Sequence, residues 1–245
     1  MANKPTAEQI KRLPKVLLHD HLDGGLRPQT IIDIAKEIGY KDLPTYDAKE
    51  LGDWVAENCN SGNLVRYLEA FTHTVAVMQR REDIVRVSRE CALDLARDGV
   101  VYAEVRGAPE RLLENGLSLD EVVIATVEGF RLGEADAENE GFKIRVEYLI
   151  CGMRHDIHSQ ASAELVPKYK GKGVVGFDIA GPEAGFPPTN QLETFKYLQK
   201  NNCHFTIHAG EAAGIDSIKA AVEICGAARI GHGVRIVEDI DMATG

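Results

Sequence analysis

Six short apolar runs alternate with longer amphipathic segments along this chain, and this alternation limits its possible folds more than any other feature. The runs, which we predict as strands, are residues 15–22, 100–107, 144–152, 174–181, 204–211 and 229–236. Between them, apolar residues recur with a helical period, as at Ile84, Val87, Cys91 and Leu95, and at Ile215, Ile218, Val222 and Cys225. Strands that alternate with helices run parallel and are covered by those helices. The sequence therefore predicts an α/β fold.

The connection between the first two predicted strands, residues 23–99, is much longer than one crossover needs. Pro28 is placed to open a helix there, and Gly39 to end it. Further helical segments contain Trp54, Tyr67 and Phe71. We expect a helical insertion over about residues 28–98. It forms either a lid or wall of a pocket or a packing appendage, and the sequence does not choose between them.

Length and charge narrow the class of protein. A chain of 245 residues suffices for one barrel-sized domain, which we place over residues 1–245. The formal net charge of −10 argues against a nucleic-acid binder, because such proteins need a basic face, but it leaves an uncharged nucleoside open as a ligand. No apolar window is long enough for a membrane span, so we expect no membrane partner.

Two features predict a cytoplasmic protein. The first residues of the chain are polar and lack the apolar core of a secretory signal. The five cysteines are odd in number, widely scattered and without a Cys-x-x-Cys pair, which is typical of reduced thiols in the cytoplasm.

Four histidines fall at or near the carboxyl ends of predicted strands: His19, His21, His208 and His232. His19 and His21 are two residues apart in a strand, so their imidazoles share one face. Imidazole nitrogen is a ligand that zinc favours. Active sites of parallel barrels lie at the carboxyl rim of the strands, and Asp23 and Glu211 would stand there too. This grouping favours a metal site over chance placement.

Other residues near the strand ends have more than one interpretation. Gly231 and Gly233 flank His232, and they either leave room for a ligand or form a tight barrel corner. Gly181, at the end of the fourth predicted strand, is placed to bring its backbone N–H close to a ligand. We interpret the remaining four histidines as structural or surface residues: His73, His155, His158 and His204. His155 and His158 follow the third predicted strand and so lie near the mouth of the site.

Several reaction classes lack their motifs in this sequence. There is no Gly-x-Ser-x-Gly elbow of an α/β-hydrolase. Neither a Walker loop nor Gly-x-Gly-x-x-Gly after a strand is present. Deaminases that bind zinc through a Cys-x-x-Cys pair are excluded, because that pair is missing.

Three motifs resemble those of adenosine deaminases: residues 19–28 (HDHLDGGLRP), 206–212 (TIHAGEA) and 229–233 (RIGHG). They occur in that family's order and strand positions, and the segment 174–181 (VVGFDIAG) looks most like the actinobacterial branch. The resemblance covers nearly the whole chain. It implies a TIM (β/α)8 barrel that holds one zinc ion and converts adenosine and 2′-deoxyadenosine to inosine and ammonia.

The resemblance also implies a role for each site residue. His19, His21 and His208 would be zinc ligands, Glu211 would protonate N1 of the purine, and His232 would orient or deprotonate the zinc-bound water. Two residues would bind the substrate. The backbone N–H of Gly181 would bind the purine ring, and Asp23 would hold the ribose 5′-hydroxyl. The chemistry agrees, because attack at C6 of adenine needs an activated water, and the ring nitrogen needs a carboxylic acid of raised pKa to protonate it.

One part of the family pattern has no counterpart. The resemblance implies a fourth zinc ligand, an aspartate after the eighth strand, beside a second aspartate that contacts substrate. The chain stops at Gly245, and Asp239 and Asp241 are too close to the sixth strand to replace that pair. We therefore expect an incomplete barrel of about six strands. The rest is a separate polypeptide, or is removed by truncation, or is replaced by another subunit such as a second copy.

Two alternatives to adenosine deamination remain at this stage. The first is a deaminase of another aminopurine compound, or a different metallohydrolase of the same superfamily. The second is an inactive zinc-binding barrel fragment that needs its C-terminal part.

Overall fold

The computed structural model describes residues 4–156 and 159–241 and confirms the predicted α/β class. Its strands are β1 Lys15–His21, β2 Val100–Gly107, β3 Arg145–Met153, β4 Val174–Ala180, β5 Thr206–Ala209 and β6 Arg229–His232. Every pair is parallel, in the orders β1-β2-β3-β4 and β5-β6. A bridge between Phe177 and Phe205 joins β4 to β5. The six strands thus follow chain order around a partial barrel, and no described residues pair β6 with β1.

The helices alternate with the strands after β2 but cluster before it. They are α1 Ala7–Arg12, α2 Pro28–Ile38, α3 Ala48–Cys59, α4 Leu64–Ala76, α5 Arg81–Arg97, α6 Leu119–Asn139, α7 Ser159–Tyr169, α8 Leu192–Lys200 and α9 Ile215–Lys219. Pro28 is the first residue of α2, and Gly39 follows its end with φ of 73°, as predicted. Four helices, α2 to α5, therefore separate β1 from β2.

Helix α6 shows how local sequence and packing agree. Ser118 caps its first turn by accepting the N–H of Glu121, whose side chain accepts the N–H of Ser118 in return. Gly129 and Gly133 face α5, and a side chain at either position would collide with backbone atoms of that helix. The absence of these side chains lets α5 and α6 pack closely outside the strands.

Two expectations near the end of the chain are wrong. The predicted strand 229–236 stops at His232, because His232 and Gly233 have φ of 68° and 64°, which an extended strand cannot contain, and a 3₁₀ helix follows at Val234–Asp239. The predicted apolar stripe that includes Val222 is broken by a π-helical segment, Ala220–Ile224. That wider turn shifts the register, so Val222 is 46% exposed while Cys225 is buried.

The core lies between the strands and their helices. It includes Val105, Ile150, Phe177 and Ile207 from the strands and Ile84, Phe130 and Phe195 from the helices. In the part of the chain that the structure describes, no helix is long and apolar enough to cross a bilayer.

Candidate metal centre and active site

Three histidine side chains from two distant strands meet at the carboxyl end of the barrel. His19 and His21 extend from β1 and His208 from β5. The Nε2 atoms of His19 and His21 each lie 3.1 Å from Nε2 of His208. In a tetrahedral zinc site with Zn–N bonds of about 2.0–2.1 Å, two ligand nitrogens lie about 3.3 Å apart. The three nitrogens are therefore close to the spacing that a zinc ion requires.

Asp178 in β4 stands behind His208. Its Oδ2 atom lies 2.9 Å from Nδ1 of His208, and its Oδ1 atom accepts the backbone N–H of His208 at 3.2 Å. A carboxylate beside Nδ1 favours the tautomer with the proton on that nitrogen, which leaves the Nε2 lone pair for a metal. Burial opposes ionisation of Asp178, but His208 and Arg106 outweigh it and hold its pKa below the usual range.

Arg106 in β2 supplies the positive charge beside Asp178. The guanidinium is 1% exposed and forms an ion pair with Asp178 through Nη1. Its Nη2 atom donates to the backbone oxygen of Leu18 in β1 at 2.6 Å. One side chain thus links β1 and β4 directly beneath the histidines.

Burial and the nearby positive charge of Arg106 keep the imidazoles of His19 and His21 neutral. Desolvation, then Arg106 and His208, lowers the pKa of His19 to about 3. Desolvation, then His208 and Arg106, lowers the pKa of His21 to about 2. A neutral imidazole is the form that binds a metal ion, so His19 and His21 fit zinc in charge as well as in spacing.

Glu211 and His232 face each other beside the three histidines. Oε2 of Glu211 lies 3.5 Å from Nε2 of His232, and both side chains are half-buried. Burial raises the pKa of Glu211. Burial also lowers the pKa of His232 to about 4. The pair therefore combines a carboxyl group that holds its proton more readily than usual with an imidazole that remains neutral.

Gly231 is needed for His19 to reach this position. A Cβ atom on Gly231 would lie 2.8 Å from Cε1 of His19. The ring of His19 occupies that space, and its centroid is 4.6 Å from that of His232. The glycine thus makes room for a histidine from the opposite edge of the partial barrel.

The three histidines, Glu211 and His232 line one cavity of about 430 Å³. Its wall includes Tyr67, Leu68 and Phe71 of α4, so the connection after β1 contributes to the pocket. The cavity is also lined by Asp20, Asp23, Arg111, Met153, His155 and Gly181. An aromatic and aliphatic wall opposite polar groups suits a planar heterocycle that carries hydroxyl groups.

Asp23 has an unsatisfied atom in this cavity. Its Oδ1 atom is shielded from solvent and lacks a hydrogen-bond partner among the described residues. Burial raises the pKa of Asp23 to about 6. Buried polar atoms normally have partners, so this oxygen is placed to meet a polar group of a ligand.

Gly181 stands at the end of β4 with φ of 101°, a conformation that other residues rarely adopt. A Cβ atom there would lie 3.1 Å from Nδ1 of His155 and from Cε of Met153, which also line the cavity. The backbone of Gly181 therefore reaches the cavity where a side chain would collide with the wall.

The structure brings all seven predicted site residues to this cavity: His19, His21, Asp23, Gly181, His208, Glu211 and His232. The other histidines divide. His155 lines the cavity, Nδ1 of His73 lies 2.9 Å from the hydroxyl of Tyr40, and His204 is exposed. His158 lies outside the described residues.

Sequence reasoning missed Asp178, Arg106 and Arg154. Arg154 is 1% exposed and donates to the backbone oxygens of Phe186 at 2.8 Å and His208 at 3.2 Å. The signal was present for two of them, because Asp178 and Arg106 are charged residues within otherwise apolar strands. Charged residues are seldom buried without a partner of opposite charge, so their presence in apolar strands predicts an ion pair between Asp178 and Arg106.

Comparisons with known proteins agree with this geometry. The family model described as adenosine deaminase matches residues 14–244. The chain is 59% identical over 242 residues to adenosine deaminase 1 of Streptomyces coelicolor, covering 99% of this chain and 61% of the relative. The chain therefore spans about three fifths of that relative's length.

Two solved structures share the architecture. The N6-mAMP deaminase of Arabidopsis superposes with a TM-score of 0.78 at 28% identity, over 92% of this chain and 67% of the other. An amidohydrolase from Burkholderia ambifaria, solved with bound zinc, gives a TM-score of 0.83 at 23% identity, over 97% of this chain and 64% of the other. The second likeness supports the fold alone.

Proposed function

The chain belongs to the adenosine deaminase family, and from this premise we propose that it carries the site for zinc-dependent hydrolytic deamination of adenosine and 2′-deoxyadenosine. Water replaces the amino group at C6, which gives inosine or 2′-deoxyinosine and ammonia. The observation that carries the proposal is the meeting of the three imidazoles of His19, His21 and His208 with the Glu211–His232 pair in one cavity.

His19, His21 and His208 would hold the zinc ion. Their ligand atoms all lie within 4.8 Å of one another. A bound zinc ion supplies Lewis acidity, which lowers the pKa of a coordinated water toward about 7.

Other residues of the chain transfer protons and bind the substrate. Glu211, with its raised pKa, donates a proton to N1 of the purine as C6 becomes tetrahedral. His232 is neutral, so it orients the attacking water and accepts its proton. Asp23 accepts a hydrogen bond from the ribose 5′-hydroxyl through its unsatisfied Oδ1 atom, and the N–H of Gly181 binds the purine ring.

A second candidate substrate is another aminopurine compound, because Arg111 lines the same cavity as Asp23. A guanidinium there favours a substrate with an anionic group on the ribose, such as a nucleoside 5′-monophosphate. The Arabidopsis neighbour is a deaminase of such a nucleotide. A panel of adenosine, AMP and N6-methyl-AMP separates the two candidates by the ratio of their kcat/KM values.

Two further points belong to this proposal. The aspartate ligand implied after an eighth strand has no counterpart among the described residues; Asp239 lies 3.4 Å from Lys219. We therefore expect full activity to require a segment that corresponds to the part of the relatives that this chain does not match. That segment would be supplied by further chain or by a partner.

The five cysteines are free thiols, which supports a reducing, cytoplasmic location.

The test measures zinc and deamination on the same sample. We expect about one zinc per chain and release of ammonia from adenosine, followed by the change in ultraviolet absorbance as inosine forms. Glu211→Gln should keep its zinc and lose about 10²- to 10⁴-fold in kcat. Glu193→Gln, an exposed change on α8, is the matched control and should keep both.

Two results would count against the proposal. Full activity in Glu211→Gln would show that another group protonates the purine. A zinc-loaded chain that deaminates no member of the substrate panel would show that the 245-residue chain is a binding fragment.

A further inference from the structure

The carboxylate of Glu183 lies in the loop after β4 and meets the loop that carries Glu211. The side chain is buried, with 3% of the residue exposed. Its Oε1 atom accepts the N–H of Gly210 at 2.7 Å and the hydroxyl of Ser217 at 2.6 Å. Its Oε2 atom accepts the N–H groups of Glu211, Ala212 and Ala213, at 3.0, 2.6 and 2.8 Å.

Four consecutive backbone N–H groups therefore point at one anion. Such a concave run of N–H donors binds negative charge, and here the charge is a side chain of the same protein. Burial opposes ionisation of Glu183, but the hydrogen bonds from Ser217 and the backbone amides outweigh it and lower its pKa. No neutral side chain of this size offers as many acceptor positions as a carboxylate.

The held segment begins two residues after His208 and contains Glu211. Arg154 holds the chain just before this segment by donating to the backbone oxygen of His208 at 3.2 Å. Two buried charged side chains, Glu183 and Arg154, thus hold this loop and the residue before it, and the side chain of Glu211 points from the loop toward the cavity and His232. A shift of the loop would move the Glu211 carboxyl group relative to a bound purine.

We propose that Glu183 is a positioning residue: its carboxylate fixes the backbone of residues 210–213 and so directs Glu211 toward the substrate and His232. The fixing of the loop stands on the geometry alone. Its effect on turnover rests on the function proposed above for Glu211.

The test compares Glu183→Gln with Glu134→Gln. The first change keeps the shape of the side chain but turns one acceptor oxygen into an NH₂ donor that faces N–H donors. Glu134 of α6 also accepts a backbone N–H, that of Val146 at 2.7 Å, but this contact is at the amino end of β3 and Glu134 does not line the cavity. Its variant therefore controls for the general loss of a carboxylate that anchors backbone.

Three measurements follow. In Glu183→Gln, the amides of residues 210–213 should exchange with solvent about tenfold faster. The ring resonances of His232 should shift in the same direction as in Glu211→Gln, because both changes disturb the Glu211–His232 pair. In active protein, kcat should fall about 10²-fold while KM stays within about threefold, since misplacement of a reacting group affects the transition state most. Glu134→Gln should change none of the three.

The outcomes separate this inference from the proposed function. Unchanged exchange at residues 210–213, or unchanged His232 resonances, would overturn the inference whether or not the protein is active. Altered exchange and resonances with unchanged kcat would also overturn it, by showing that Glu183 is only structural. If the unmodified chain does not deaminate adenosine, the proposed function fails, and the exchange and resonance measurements still decide the role of Glu183.

Discussion

At the scale of single residues, the candidate metal centre depends on charges that lie behind its ligands. Asp178 touches His208 on one side and the buried guanidinium of Arg106 on the other. Residues that orient a metal ligand in this way typically change metal affinity when they are altered. The three imidazoles are therefore part of a larger polar assembly that includes β1, β2, β4 and β5.

Asp178→Asn should weaken zinc binding by about 10- to 100-fold, because the amide removes the charge that orients His208. It should also lower the free energy of unfolding by about 3–5 kcal/mol, because Arg106 is left buried without its partner. A competitive titration against a chelator measures the first effect, and chemical denaturation measures the second.

Asp83→Asn is the control for this prediction. Asp83 is also buried, and it pairs with Arg80 at 2.6 Å at the start of α5. Its variant should lose stability and keep zinc affinity. Equal losses of zinc affinity in both variants would show that affinity follows general stability, not the contact with His208.

At the scale of elements, helix α4 forms one wall of the cavity. Tyr67 and Phe71 pack edge to face, with ring centroids 5.4 Å apart, and the ring of Phe71 lies 6.3 Å from that of His21. The helix therefore places an apolar surface next to the candidate metal ligands. We expect such a surface to bury one face of the purine proposed above as substrate and to take no part in proton transfer.

Phe71→Ala should accordingly raise KM for adenosine by about tenfold, for a loss of about 1–2 kcal/mol of binding, and change kcat by less than about threefold. Steady-state kinetics on zinc-loaded protein measure both constants. Phe142→Ala, an exposed position after α6, should change neither. A fall in kcat with an unchanged KM would instead indicate that α4 acts on the chemical step.

At the scale of the whole molecule, six strands curve far enough to bring their first and last members together at one end. His19 of β1 lies against Gly231 of β6, although these strands are not paired in the described residues. At the outer face of β1, Val16 is 60% exposed and Leu18 is 40% exposed. Exposed apolar side chains on an edge strand favour association with other polypeptide.

The stability of the metal-free chain should fall as the pH falls from 7 to 5. His19, His21 and His232 have folded-state pKa values of about 3, 2 and 4, below the usual value for histidine. Below about pH 6.5 the unfolded chain therefore binds more protons than the folded chain, which favours unfolding. Asp20, Asp23 and Glu211 act oppositely, because burial raises their pKa values, but the lowered pKa of His73 adds to the effect of the three histidines above.

We expect the Tm measured in the presence of a chelator to fall by about 5 °C across this range. His21→Gln should reduce the slope, because it removes one of the three groups. His204→Gln, an exposed histidine, should leave the slope unchanged. A Tm that is constant or rises toward pH 5 would contradict the assignment of neutral buried imidazoles.

Much of the fold and of the candidate site could be predicted from the sequence, because it rests on short-range patterns. Alternating runs gave the six strands in order, and β2 agrees with its prediction at both ends. The His-x-His spacing in β1 and the segment after β5 identified residues that do share the cavity. Local periodicity failed where the backbone turned unexpectedly, at the π-helical segment and at the left-handed His232.

By itself, then, the sequence determined the order of parallel strands and the types of chemistry at their ends. Only the tertiary structure decided that His208 meets His19 and His21, which are 189 and 187 residues away, and that Asp178, Arg106 and Glu183 support the site. The physical reason is that side-chain periodicity is a property of each strand, whereas distances between strand ends depend on how the sheet curves. Which buried charges pair with each other also depends on that curvature, and residue spacing along the chain does not specify the curvature.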